Sequence, residues 1–103
     1  MPCGVYFIES SGFIKVGYST DVMGRIGELQ RSNPHELLFL GYIELPSAQA
    51  LRLERILHKH FGPYRHRFEW FEDNESLRDY IEEHAVRPGP VQGDPLSGLF
   101  PNA

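Results

Sequence analysis

The chain of 103 residues has one cysteine, one tryptophan and no long apolar run. Cys3 alone can form neither an internal disulfide nor a cysteine-built metal cluster, which excludes zinc-cluster readings and fits a reducing compartment. No stretch approaches the roughly 18 to 20 apolar residues of a membrane span. Residues 1–15 also lack the basic, apolar, small-residue order of a signal peptide. The expectation is a cytoplasmic protein with no membrane partner. Its length admits one modest core and no second catalytic domain.

A net charge of −4 seems to disfavour a nucleic-acid partner, but the charge is unevenly distributed. Residues 1–68 hold eight Lys/Arg against six Asp/Glu, whereas residues 69–103 hold two against eight. Within the basic part, Arg52, Arg55, Lys59, Arg65 and Arg67 cluster with only Glu54 opposing them, and His58, His60 and His66 lie among them. Such a segment can meet a polyanion, or it can be a solvated helix face and a basic loop.

Residues 4–9 and 13–18 read as strands joined at Ser10-Ser11-Gly12. From Ser19-Thr20-Asp21 a helix opens, with Val22, Ile26 and Leu29 at helical spacing, and Asn33-Pro34 ends it. ELLFLGYIEL (36–45) predicts a third strand, apolar enough to be central in its sheet. Pro46-Ser47 starts a second helix with Ala50, Leu53, Leu57 and Phe61 on its buried stripe, and Gly62-Pro63 stops it. A third helix follows Asp73-Asn74, with Leu77, Tyr80, Ile81 and His84 inward. The order β-β-α-β-α-α predicts an α+β domain: a small three-stranded antiparallel sheet flanked by helices. The domain is expected over residues 1–86. Residues 87–103, with four prolines and three glycines, predict a flexible tail.

An even-length hairpin loop puts Tyr6, Ile8, Lys15 and Gly17 on one face and Val5, Phe7, Ile14, Val16 and Tyr18 on the other. The second set is a core face, which leaves Tyr6 and Lys15 as near neighbours on the first. A tyrosine that accepts a proton near neutral pH needs a cation or metal beside it, and Lys15 is such a cation. The alternative is a half-buried strand aromatic beside an edge-strand lysine. Arg25 borders the buried stripe of the first helix, where its fork can hold phosphate oxygens, pair with Glu28 or snorkel. Glu54 and His58 occupy one flank of the second helix. One carboxylate is a poor metal cage by itself, but Mg²⁺ commonly takes one or two and completes its shell with water and phosphate. For His58 the alternative is a flank histidine with a backbone or carboxylate partner.

Gly4-Val5-Tyr6, Lys15-Val16-Gly17, Arg25 and Glu54 in LRLERILHKHF together resemble the GIY-YIG endonuclease superfamily, over residues 4 to about 71. K-[I/V]-G in place of the second tyrosine motif and the closing FEWF (68–71) are similar to its phage and bacterial branch. Leu29 stands where better-studied members have a histidine, so no general base is expected there. The resemblance implies a divalent-metal-dependent endonuclease that hydrolyses nucleic-acid phosphodiesters, with DNA as the expected partner. Tyr6, Lys15, Arg25 and Glu54 are the implied catalytic residues, and Mg²⁺ or Mn²⁺ is expected on Glu54. Lys15, Tyr18, Arg25, His58, Arg65 and Arg67 are the expected nucleic-acid contacts, supported by Gly17, Glu69 and Trp70. Glu69 is expected to brace Arg25 or a basic neighbour, and Trp70 to be a core residue, with a base-stacking platform as the alternative. Two other readings stay open: a nucleic-acid-binding module without turnover, and a protein-interaction domain using the acidic 72–84 helix. Monomer and homodimer are both compatible with the sequence.

Overall fold

The computed structural model describes residues 2–87; the expected tail beyond Arg87 lies outside the described residues. The hairpin forms as the alternation requires. Strands β1 (Gly4–Ser10) and β2 (Phe13–Ser19) pair antiparallel around a two-residue turn, Ser11 and Gly12. Their φ angles of 51° and 88° mark a type I′ turn, whose twist matches that of paired strands. Glycine takes its place there without steric cost. The register sets Tyr6 opposite Gly17 and Ile8 opposite Lys15, so Lys15 lies diagonal to Tyr6 on the same face.

Helix α1 (Val22–Arg31) begins at Asp21, whose Oδ1 accepts the Gly24 N–H at 3.1 Å. Strand β3 (Leu38–Glu44) pairs antiparallel with β1. Phe7 faces Gly41 while Ile8 faces Phe39, so Leu40 is an extra residue and the parity of β3 switches there. The switch lets Phe39 and Tyr42 pack with α1 while Leu40 and Ile43 pack on the opposite side. Helices α2 (Ser47–His60) and α3 (Glu75–His84) follow, the latter capped by Asn74, whose side-chain oxygen accepts the Leu77 N–H at 2.9 Å. His84, expected inward on α3, is exposed, and Ala85 packs against the core instead.

The sheet has five antiparallel strands, not the three expected, and its order is β3-β1-β2-β5-β4. After a 3-10 turn at Gly62–Tyr64, the short strands β4 (Arg65–Arg67) and β5 (Trp70–Glu72) form a second hairpin that docks on β2. Each is three residues long, too short for alternation to register. Their turn also lacks the usual Gly or Asn, because Phe68 itself takes the left-handed conformation at φ 52°. What holds the hairpin in place is Phe71, fully buried and directly opposite Ile14. β3, expected in the centre, lies at an edge because it pairs with β1 alone, and there Tyr42 forms a two-bond bridge with Val86.

Both faces of the sheet are covered in part. Val5, Phe7, Ile14, Val16 and Phe71 pack against Ala50 and Leu57 of α2 and Leu77 and Ile81 of α3, the larger core. On the other face Tyr6 and Ile8 pack under Val22, Ile26 and Leu29 of α1. Burying a side chain of this size contributes about 1.5 to 3 kcal/mol, so the larger cluster on the α2 and α3 side dominates stability. The smaller one positions Tyr6.

Candidate functional site

Tyr6 lies almost wholly inside the smaller core, with 1 % of its surface exposed. Its ring crosses Gly17 on the neighbouring strand: a Cβ built on Gly17 would collide with the Tyr6 ring and hydroxyl. Glycine at 17 therefore permits a close approach that any side chain would block. Burial pushes the Tyr6 phenol above its ordinary pKa, the Glu69 and Glu54 carboxylates push the same way, and the Arg25 guanidinium opposes them. Lys15 does not exert the pKa-lowering influence expected of it; Arg25 does. The reason is geometric. Lys15 Nζ is held by Glu69 Oε1 at 2.9 Å and stands 5.6 Å from the centre of the Trp70 ring.

Arg25 projects from α1 with close to half its side chain exposed, and its Nη1 donates to Glu28 Oε1 at 3.2 Å. Tyr6 and Glu28 both hold this guanidinium in its charged form. The cation is thus anchored beside the phenol and still open to solvent, which suits a group that must receive a phosphate.

Glu54 approaches from α2. Strand β5 pairs with β2 only through Lys15, so among the described residues the β2 edge is free of a neighbouring strand from Val16 onward. There the Val16 N–H donates to the Glu69 carbonyl at 3.0 Å, and the Val16 carbonyl accepts from His58 Nε2 at 2.8 Å. Glu54, one turn before His58, is half-buried beside this edge. Burial raises its pKa, Glu69 raises it further, and His58, Lys15 and Arg55 pull it down. Among the described residues no three His, Cys, Asp or Glu side chains form a protein-only metal cage. A hard cation of the Mg²⁺ type needs only one or two carboxylates when water and phosphate complete its shell. Glu54 fits that donor role on its own chemistry, because a carboxylate kept from full acidity by burial and by a second carboxylate gains from a nearby cation.

The remaining expected contacts fall into two groups. Tyr18 and His58 are engaged within the fold: the Tyr18 hydroxyl bonds Ser47 at the start of α2, and His58 holds the Val16 carbonyl with its ring against Phe71. Arg65 and Arg67 are exposed on the outermost strand, over the rings of Phe71 and Phe68 respectively. Glu69 braces Lys15 rather than Arg25. Trp70 is half-buried on the sheet face it shares with Lys15, not in the core. Sequence reasoning missed Phe13 and His66, whose rings stack at 4.4 Å beside Trp70. Strand alternation already puts Phe13 on the Lys15 face, but nothing short of the second hairpin brings His66 to it.

The model of the T5orf172 domain matches residues 4–85. The chain belongs to the T5orf172 domain family. This membership overturns the GIY-YIG resemblance, since the family shown across nearly all the described residues is T5orf172. T5orf172 domains are associated with nucleic-acid-related functions. Comparison with curated proteins and with solved structures gives no match. Among the described residues, no helix of this T5orf172 domain is long and apolar enough to cross a membrane.

Proposed function

We propose that this domain hydrolyses nucleic-acid phosphodiester bonds, with DNA as the expected substrate, and that Tyr6, Lys15, Arg25 and Glu54 surround the reacting phosphate. The observation that carries the reading is the position of Glu54. A half-buried carboxylate with a raised pKa sits at the edge of β2, electrostatically coupled to Tyr6 and Lys15. In a surface that only binds phosphate, such a carboxylate repels the ligand; in a hydrolase it has a use. Mg²⁺ or Mn²⁺ on Glu54 would supply positive charge against the phosphate oxygens.

The chain's own groups do the rest. Arg25 lays its fork on non-bridging oxygens, and Lys15, released from Glu69, neutralises the charge that builds on them. Tyr6, a phenol neutral at physiological pH and held still further from ionising by burial, donates a hydrogen bond to the phosphate rather than taking a proton from water. Water attacks phosphorus and gives its proton to solvent, while the bond from phosphorus to the leaving oxygen breaks and that oxygen takes a proton from solvent. The test is incubation of supercoiled plasmid with purified protein and Mg²⁺ or Mn²⁺, beside a Glu54→Gln control. Nicking by the wild type alone is expected. Equal nicking by both proteins would sink the assignment of Glu54.

A nucleic-acid-binding module without turnover is the second reading. The ion pair that occupies Lys15 favours it. Retarded but intact plasmid under every divalent condition would decide for it.

A further inference from the structure

Beside the Lys15 and Glu69 pair the sheet face is open among the described residues. Lys15 and Trp70 are directly opposite each other across β2 and β5, and Phe13 lies two residues from Lys15 on the same face. The His66 ring stacks on Phe13 with centroids 4.4 Å apart and planes inclined by 27°. Phe13, His66 and Trp70, together with Ser10 and Ser11 of the first turn, line a shallow groove of about 200 Å³.

The arrangement is costly if it serves only the fold. His66 is exposed, Trp70 and Phe13 are each only half-buried, and among the described residues no helix covers this part of the sheet, since α1 packs over Tyr6, Ile8, Phe39 and Tyr42 instead. Flat rings left partly open offer a face on which a flat partner can stack. The partner's charge follows from the flanks: Lys15, paired with Glu69, stands over Trp70 on one side, and Arg67, whose guanidinium lies over the Phe68 ring, is opposite Trp70 on β4 on the other. An aromatic floor between two cations is the arrangement that binds single-stranded nucleic acid, in which every base offers a π-face and every linkage a negative charge.

We infer that Phe13, His66 and Trp70 form a stacking subsite for a nucleobase adjoining the phosphate held by Tyr6, Lys15 and Arg25. This rests on the proposed phosphodiester site, and it adds a substrate form: a single-stranded or locally unpaired segment, since a base inside a duplex has no free face to offer. Lys15 links the two halves, reaching toward the phosphate from the residue that borders the base.

Trp70 is the chain's sole tryptophan, so its emission reports this groove alone. A single-stranded mixed-sequence 12-mer and the same 12-mer abasic through its central residues are titrated in EDTA, which prevents divalent-dependent cleavage. Binding is read by anisotropy of labelled strands, and Trp70 emission is read with unlabelled ones. The intact strand is expected to quench Trp70 in step with binding. The abasic strand, with the same phosphates, is expected to bind about tenfold more weakly without quenching, within the range for loss of one stacked base. His66→Ala, an exposed change that spares the core, should weaken the intact strand and leave the abasic strand unaffected; Phe13→Ala should do the same. Equal affinity for the two strands, or equal quenching by both, overturns the subsite while leaving the phosphate site standing. Failure of both strands to bind overturns both.

Discussion

Lys15 Nζ and Glu69 Oε1 stand 2.9 Å apart, and the lysine is the more deeply placed partner, with 13 % of its side chain exposed against 41 % for the glutamate. The pair therefore acts as a latch on a cation. Glu69 also raises the pKa of both Tyr6 and Glu54, so one carboxylate restrains the site's phosphate-binding charge and disfavours ionisation of both acids.

Glu69→Gln is expected to release that latch. Affinity for a short DNA strand, measured without divalent ions at one fixed low salt concentration, should rise about fivefold, the equivalent of roughly 1 kcal/mol for a partly exposed pair. The gain should fade as salt screens the freed charge. Unchanged or weaker affinity would show that Lys15 does not face the ligand.

Glu54→Gln should raise the melting temperature at pH 7. The sign follows from the raised pKa of Glu54: the folded protein holds this proton more tightly than the unfolded chain, so the ionised form opposes folding at neutral pH. That penalty shrinks as pH falls through the raised folded value and is gone below the unfolded carboxylate value of about 4.3. Thermal melts of the two proteins should therefore diverge at pH 7 and converge near pH 4. Millimolar Mg²⁺ should raise the melting temperature of the wild type and not of the variant. A variant less stable at pH 7 would mean that Glu54 braces the fold.

Arg25→Ala separates catalysis from docking. If the guanidinium contacts strengthen as charge develops on phosphorus, the rate per bound complex falls on the order of a hundredfold while affinity changes little. Lysine should rescue poorly, because a point charge cannot reproduce a two-oxygen fork. Single-turnover cleavage at saturating protein, beside a binding titration at the same salt, gives both quantities. Lost affinity with an intact bound-state rate would make Arg25 a docking residue.

The first hairpin was legible because its code is local. Alternating apolar positions around Ser10-Ser11-Gly12 admit one register that buries Val5, Phe7, Ile14 and Val16 together, and that register also sets Tyr6 beside Lys15. Helix ends were legible for the same reason, from Asp21 and Asn74. Residues 65–72 were not. RHRFEWFE carries charge at half its positions and a phenylalanine where a turn calls for glycine, and its strands exist because Phe71 is buried against Ile14, a contact set by tertiary structure. Two properties of the site depended on that hidden hairpin: the capture of Lys15 by Glu69 and the open ring surface of Trp70. The direction of the Tyr6 shift was missed because burial under α1, invisible in a hairpin read alone, outweighs the neighbouring cation. The family is not legible from the residues alone because a few short spaced motifs and single residues carry the GIY-YIG resemblance, whereas the T5orf172 match extends over residues 4–85.

Gly17→Ala tests whether the site depends on that burial. The added methyl would meet the Tyr6 ring carbons and hydroxyl, which sit inside a packed cluster and cannot swing clear without displacing Ile8 or Val22. Overpacking of this kind costs about 1 to 3 kcal/mol, so the urea midpoint should fall measurably. Tyr6→Leu alone should also destabilise, by leaving a void under α1. Combined, the two changes relieve each other, because the methyl fills part of the space the ring has left. A double-mutant cycle should therefore show a favourable coupling of about 0.5 to 3 kcal/mol, the range for residues in direct contact. Activity should behave differently. The double variant regains stability but not cleavage, because the phenol that meets the phosphate is gone. Strict additivity in the cycle would mean that Gly17 is not there to admit Tyr6. Restored cleavage in the double variant would remove Tyr6 from the chemistry and leave Lys15, Arg25 and Glu54 to account for it.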